Sequence, residues 1–185
     1  MLETYLQDHF KLSKEDVDQI AQFFIRTELK KGGYFLQAGQ VCRKVAYLEK
    51  GAIFYYEEIE GEVKVCDFAF EGDWLTQYKS MLGKIPSLLS IRTLEDSIVY
   101  ELALEKMEAL IKAIPGAGII RSTLAEKYFT ESADRAASLA NLKAEERYHK
   151  LLEEKPQIMN RVPQYYVASY LGIKPQSLSR IRAAR

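Results

Sequence analysis

Pro163 to Arg182 reads PQYYVASYLGIKPQSLSRIR, and this stretch sets the architecture expected of the rest. Two short helical patterns flank Leu171-Gly172-Ile173. Pro163 is expected to open the first helix, because a first helical position needs no N–H and the φ of proline already suits a helix. Val167, Ala168 and Leu171 fall on one face at helical spacing. Gly172 follows, and glycine most easily takes the left-handed conformation that ends a helix. Pro175 can open the second helix in the same way. Leu178 and Ile181 then point back toward the first helix, leaving Gln176, Ser177, Ser179 and Arg180 outward.

A helix-turn-helix needs these parts. Ala168 is small enough for two helices to cross closely, Gly172 makes the turn, and Val167, Ile173, Leu178 and Ile181 fix the crossing. The polar side chains are left to face a major groove. An ordinary αα-hairpin is the competing reading, and charge separates the two. From residue 155 to 185 the chain carries Lys155, Arg161, Lys174, Arg180, Arg182 and Arg185 and no Asp or Glu. The whole sequence of 185 residues has a formal net charge of zero, so a basic end balances an acidic remainder. That asymmetry suits an anionic partner at the C-terminal end.

The length permits one large domain or two small ones. No apolar run is long enough to span a bilayer. The opening MLETYLQDHFKLSKED lacks the pattern of a signal peptide, so a cytoplasmic location with Cys42 and Cys66 reduced is the expectation. Ser13 reads as the N-cap of a helix with Glu15 and Asp16 in its first turn, running to about Arg26. From Thr27 to Leu104 glycines and charged clusters punctuate β-rich pieces at Val45–Leu48, Ile53–Glu57, Val63–Phe70 and Ile98–Leu102. This pattern predicts a sandwich, roll or barrel. Ile59-Glu60-Gly61-Glu62 reads as a hairpin tip, after which Val63, Val65 and Asp67 should face opposite to Lys64, Cys66 and Phe68. Glu105 to about Leu139 reads as helix, broken near Pro115-Gly116. Its second part carries Ile119, Ile120, Leu124, Tyr128 and Phe129 and needs a partner surface. Leu142–Glu154 is a further amphipathic helix that Pro156 ends.

The order helix, β-roll, long helix, helix, helix-turn-helix resembles the Crp/Fnr family of bacterial transcription regulators over essentially the whole chain. Tyr47-Leu48-Glu49-Lys50-Gly51 is similar to the family's strand-then-glycine turn. Glu71-Gly72-Asp73-Trp74-Leu75 is similar to its Gly-Asp turn, and Leu171-Gly172-Ile173 through Ser179-Arg180-Ile181 to its DNA-reading hairpin. The resemblance implies an α+β chain in three parts. Residues 1–114 would form a double-stranded β-helix or jelly roll like the cyclic-nucleotide-binding domain, with flanking helices. Residues 115–140 would form a long dimerisation helix, and residues 141–185 a helix-turn-helix domain. It further implies a homodimer on double-stranded DNA, with RNA polymerase and a small-molecule effector as other partners, and no enzyme. Gln176, Ser177 and Arg180 take the base-reading positions. Arginine can bond guanine and glutamine adenine through paired hydrogen bonds. Lys174, Ser179 and Arg182 are placed for phosphate. Many members have a β-hairpin wing after the second helix, and the sequence ending at Arg185 is expected to lack one.

The cAMP-binding members hold their ligand with a cassette of Gly-Glu-Leu followed by Arg-Ser or Arg-Thr-Ala. Counting on from Gly72, Thr76 stands at the cassette glycine and Gln77 at the glutamate, with Ser87 and Leu88 where the arginine and its neighbour would be. These four are the effector-pocket candidates. No guanidinium remains for the phosphate, and an uncompensated buried phosphate is costly. The expectation is therefore no response to cAMP or cGMP. No cofactor or metal is expected either. An iron–sulfur cluster needs more cysteines than two, and His9 and His149 read as surface residues rather than haem ligands. With no histidine between them, a cupin metal site has no ligands. The alternative function is a cyclic-nucleotide-binding-like interaction module whose hairpin does not read DNA.

Overall fold

The computed structural model describes residues 2–183, so Arg185 of the basic end lies outside the described residues. Helices α1 (Leu2–Phe10) and α2 (Lys14–Ala21) precede the strands β1 (Ile25–Leu29), β2 (Tyr34–Leu36), β3 (Lys44–Lys50), β4 (Ile53–Ile59), β5 (Glu62–Ala69) and β6 (Trp74–Leu75). The short α3 (Tyr78–Gly83) leads to β7 (Ser90–Thr93) and β8 (Ser97–Ala103). Helices α4 (Leu104–Ala113), α5 (Gly118–Asn141), α6 (Ala144–Glu154), α7 (Ile158–Arg161), α8 (Gln164–Leu171) and α9 (Pro175–Ala183) complete the chain.

The strands form two four-stranded antiparallel sheets, ordered β1-β8-β3-β6 and β2-β7-β4-β5. Together they make the β-roll. Two turns show why its glycines are where they are. At the β4–β5 tip Glu60 and Gly61 have φ of 53° and 78°, the left-handed pair that a two-residue hairpin turn requires. Between β3 and β4, Gly51 has φ of 122°, and a Cβ there would lie 2.1 Å from Ser97 Oγ. No other residue fits that turn without moving β8.

Two cores hold the molecule. The first gathers Val45, Leu48, Ile53, Leu75, Ile91, Val99 and Leu102 of the roll. Leu6, Ile20, Leu110, Ile120 and Leu124 close onto it from α1, α2, α4 and α5. Each fully buried aliphatic side chain contributes roughly 1.5–3 kcal/mol. The second core joins the roll to the C-terminal helices. Phe54, Tyr56, Val65, Phe68 and Phe70 pack with Tyr148, Leu151, Ile158, Val167, Ala168, Leu171 and Leu178. Here β5 is an edge strand, and α8 covers it. Ser169 Oγ accepts from Val65 N–H at 2.9 Å and donates to Val63 O at 2.9 Å. The side chain thus takes the place of a neighbouring strand, which removes an edge prone to unwanted pairing.

Several local expectations are corrected. The helix opened by Ser13 stops at Ala21, and Arg26 lies in β1, because Thr27 and its neighbours pair with Val99 of β8. Helix α1 precedes it, with Leu2, Leu6 and Phe10 buried one turn apart. Side chains in β5 do not alternate throughout. Tyr55 pairs with Asp67 and Tyr56 with Val65, so Cys66 is an extra bulged residue and Val65 and Phe68 join one core. Helix α7 forms between Pro156 and the hairpin, burying Ile158. Pro163 caps α8 from outside, with ψ of 137°, whereas Pro175 does open α9.

Candidate nucleic-acid interface and ligand cavity

The hairpin is built on the second core. Gly172 ends α8 with φ of 69° and ψ of 31°, and its N–H bonds back to Ala168 and Ser169. Leu178 is buried against α8, with Ile173 and Ile181 half-buried beside it. The reverse face of α9 is open: Gln176, Ser179, Arg180 and Arg182 are exposed, Ser177 is half-buried, and Lys174 is exposed at the turn. Ser179 Oγ donates to Pro175 O at 3.1 Å, a bond inside its own helix. The side chains of Gln176, Arg180, Arg182 and Lys174 make no hydrogen bond or ion pair to any other described residue, which leaves their donors facing solvent. All six residues read from sequence as DNA contacts therefore lie in or just before one helix.

The effector-pocket candidates separate. A cavity of about 220 Å³ lies between the roll and α5, and Thr76 and Gln77 line it. Ser87 and Leu88 do not. Helix α3 and the left-handed Lys84 at its end redirect the chain. Leu88 is then 68% exposed, while Ser87 is buried with its hydroxyl bonded to both backbone groups of Leu89. Gln77 is the N-cap of α3, its Oε1 accepting from Ser80 N–H. Thr76 Oγ1 donates to Lys44 O at 3.2 Å. Thr76 and Gln77 are thus engaged in holding β3 and α3. Neither Arg92 nor Lys84 lines the cavity; Arg92 Nε donates to Gly32 O at 2.9 Å and the guanidinium covers the Tyr34 ring.

Sequence reasoning missed the other wall. Leu124, Lys127, Tyr128, Glu131, Ser132 and Arg135 reach it from α5. Lys127 Nζ lies 3.2 Å from Asp73 Oδ1, and Lys155 Nζ 3.1 Å from Asp67 Oδ1. Burial pushes the Glu131 carboxyl above the usual range, against the pull of Lys127. Burial likewise holds the Tyr55 phenol well above 10. The helical spacing of Lys127, Glu131 and Arg135 was the available signal, since it places them on one face of α5.

The same region carries the joint between roll and helices. Arg161 of α7 donates to Glu71 Oε2 at 2.7 Å and to Glu95 Oε1 at 2.5 Å. Glu71 also accepts from Gly51 N–H at 2.8 Å. The Arg161 bonds lower the Glu71 carboxyl from 4.5 to about 2. Glu71, Asp73 and the cavity wall are consecutive in the chain, so the turn at Gly72 touches both cavity and helical unit.

In the described residues no group of three or more His, Cys, Asp or Glu is arranged to hold a metal ion, and no helix is long and apolar enough to cross a membrane. No curated protein matches the sequence. Among solved structures the chain resembles FixK2 from Bradyrhizobium japonicum, at 15% identity and a TM-score of 0.76, covering 87% of this chain and 83% of that one. It resembles the c-di-GMP responsive global regulator CLP of Xanthomonas campestris at 15% identity and a TM-score of 0.73, covering 93% and 91%. The Thermus thermophilus catabolite activator protein follows at 18% identity and a TM-score of 0.61, covering 97% and 85%. Residues 26–113 match the family model of the cyclic nucleotide-binding domain, and over most of its length the chain has the fold of these three proteins.

Proposed function

We propose that this chain is a Crp/Fnr-type transcription regulator that works as a homodimer on palindromic DNA and is not switched by cAMP or cGMP. The observation that carries this is α9, which buries Leu178 while leaving Gln176 and Arg180 exposed and unpaired. Arg180 would bond guanine O6 and N7, Gln176 an adenine edge, and Ser177 a further base edge. Lys174, Ser179 and Arg182 would hold phosphates and set the register. The long α5 supplies the dimer contact in this reading. Phe129 is 75% exposed on it, with Ile119, Tyr128 and Leu139 also open to solvent. Two copies related by a twofold axis would present two α9 helices to half-sites about one helical turn apart. DNA binding places the protein in the cytoplasm, with RNA polymerase as the further partner if it activates.

A second reading has independent support. The hairpin has a structural task of its own, because α8 covers the β5 edge through Ser169. An interaction module that kept the hairpin only for that purpose would look the same there. Salt dependence separates the two. Phosphate contacts make log K fall steeply with log salt, so fluorescence anisotropy on a duplex across a salt series should show a steep negative slope. Absence of binding on every duplex at low salt would leave the interaction module standing.

A further inference from the structure

The polar groups at the cassette positions are already engaged, which raises the question of what the cavity accepts instead. Its wall includes Val45, Tyr55, Leu75, Leu89, Leu124 and Tyr128, so most of the surface a ligand would meet is hydrocarbon or ring. The charges on it compensate one another. Asp67, Asp73 and Glu131 face Lys127, Arg135 and Lys155. Lys155 also donates to Phe68 O. Arg135 Nη2 donates to the Val65 and Tyr170 carbonyls while its guanidinium lies 3.9 Å from the Tyr170 ring centre. An anion at these cations would compete with the carboxylates and carbonyls that already hold them. The Thr76 hydroxyl on the wall donates to Lys44 O, and the Ser80 N–H behind it donates to Gln77 Oε1.

We propose that this cavity binds an uncharged, mostly apolar molecule of one or two rings that carries a single hydrogen-bonding group for Tyr55. Size supports this. An apolar protein cavity of about 150 Å³ takes up benzene, and this one measures about 220 Å³. Tyr55 lies on the wall with the Thr76 backbone beside its hydroxyl. Its phenol stays protonated through the physiological range and offers a neutral O–H. A neutral ring ligand gains burial of its apolar surface, whereas a phosphate would lose its hydration beside carboxylates that already pair with the lysines of the wall. The inference deepens the reading of the roll as a sensor, and it holds whether or not α9 reads DNA.

The test uses the full chain without DNA. Calorimetry and thermal melting are run with indole as the neutral probe, phenyl phosphate as an anion of similar size, and cAMP. Indole is expected to bind and raise the melting temperature, while the two phosphates do neither. Two plugs approach the cavity from opposite walls, Leu89→Trp from the roll and Ser132→Trp from the exposed side of α5. Each should weaken indole about tenfold or more while leaving the ligand-free circular dichroism spectrum unchanged, and a plug that fails this folding check is replaced by the other. Three results would overturn the proposal: phosphate binding tighter than indole, indole binding that a folded plug leaves unaltered, or no indole binding at all.

Discussion

The outward face of α9 and the cavity beneath α5 are lined with similar residue types and use them in opposite ways. On α9 the glutamine and the arginines extend into solvent with no partner among the described residues. At the cavity Gln77 caps α3, Thr76 ties β6 to β3, and Arg135 bonds two carbonyls. A group that already has its hydrogen bonds must lose them to gain a ligand, so its net contribution to binding is small. An exposed group exchanges only water. The comparison teaches that residue identity at a family position is a weak guide until its existing partners are counted. By that standard the hairpin is prepared for a partner and Thr76 and Gln77 are not.

The helix between the two regions gives the largest expected effect. One face of α5 lines the cavity through Leu124 and Lys127, while Phe129 stands exposed. Phe129→Glu should convert a dimer to a monomer in sedimentation velocity. Affinity for a palindromic duplex should then fall by about 10²–10⁴, the gain that a second linked site provides. An unchanged sedimentation coefficient would remove α5 from the dimer contact.

Next comes the face of α9 proposed to read DNA. Arg180→Ala is expected to reduce preference for the cognate duplex by about 1–3 kcal/mol, with no change in melting temperature because the side chain is exposed. Competition anisotropy with point-substituted duplexes would show the loss concentrated at one base pair per half-site. A uniform loss over all sequences would reassign Arg180 to phosphate.

A smaller effect is expected at the joint. The Glu71 carboxyl titrates at about 2 in the fold against an ordinary 4.5, held down first by its bonds to Arg161. Its contribution is therefore complete above pH 4.5 and is lost as pH falls toward 2. Because the side chain is 41% exposed, solvent screening reduces that contribution to about 1 kcal/mol. Glu71→Gln should be less stable than the parent by this amount in denaturant titrations near neutrality. The gap should close as pH falls through that window. A gap independent of pH would mean that packing, not charge, is what Glu71 supplies.

The smallest effect sharpens the cavity side. Ser87→Arg puts a cation where the resemblance places the cassette arginine, yet Ser87 does not line the cavity. Calorimetry with cAMP should remain flat, and micromolar binding by this variant would show that α3 moves to rebuild a cassette.

The hairpin was legible because its determinants are local: the glycine, the prolines and four apolar residues all fall within one short stretch. Strands β3, β4, β5 and β8 were legible for the same reason, through glycine punctuation, whereas β1, β2, β6 and β7 were not. What could not be read were interactions between distant segments. Ser169 meets β5 and Arg161 meets Glu71 and Glu95 across long separations in sequence. No periodicity encodes such pairs. The bulge at Cys66 was hidden because it depends on register with β4. Counting along the chain placed Thr76 and Gln77 on the cavity but misplaced Ser87 and Leu88, because the intervening α3 turns the backbone away.

The most direct test sets the two regions against each other in one tube. Fluorescence anisotropy would measure binding to the protein's own promoter duplex and to a random duplex, each with and without saturating cAMP. The expected result is tight, sequence-preferring binding that cAMP leaves unchanged. Selective binding that emerges only when cAMP is added would contradict the account, since it would mean that the cavity still reads a nucleotide and that α9 is not competent by itself.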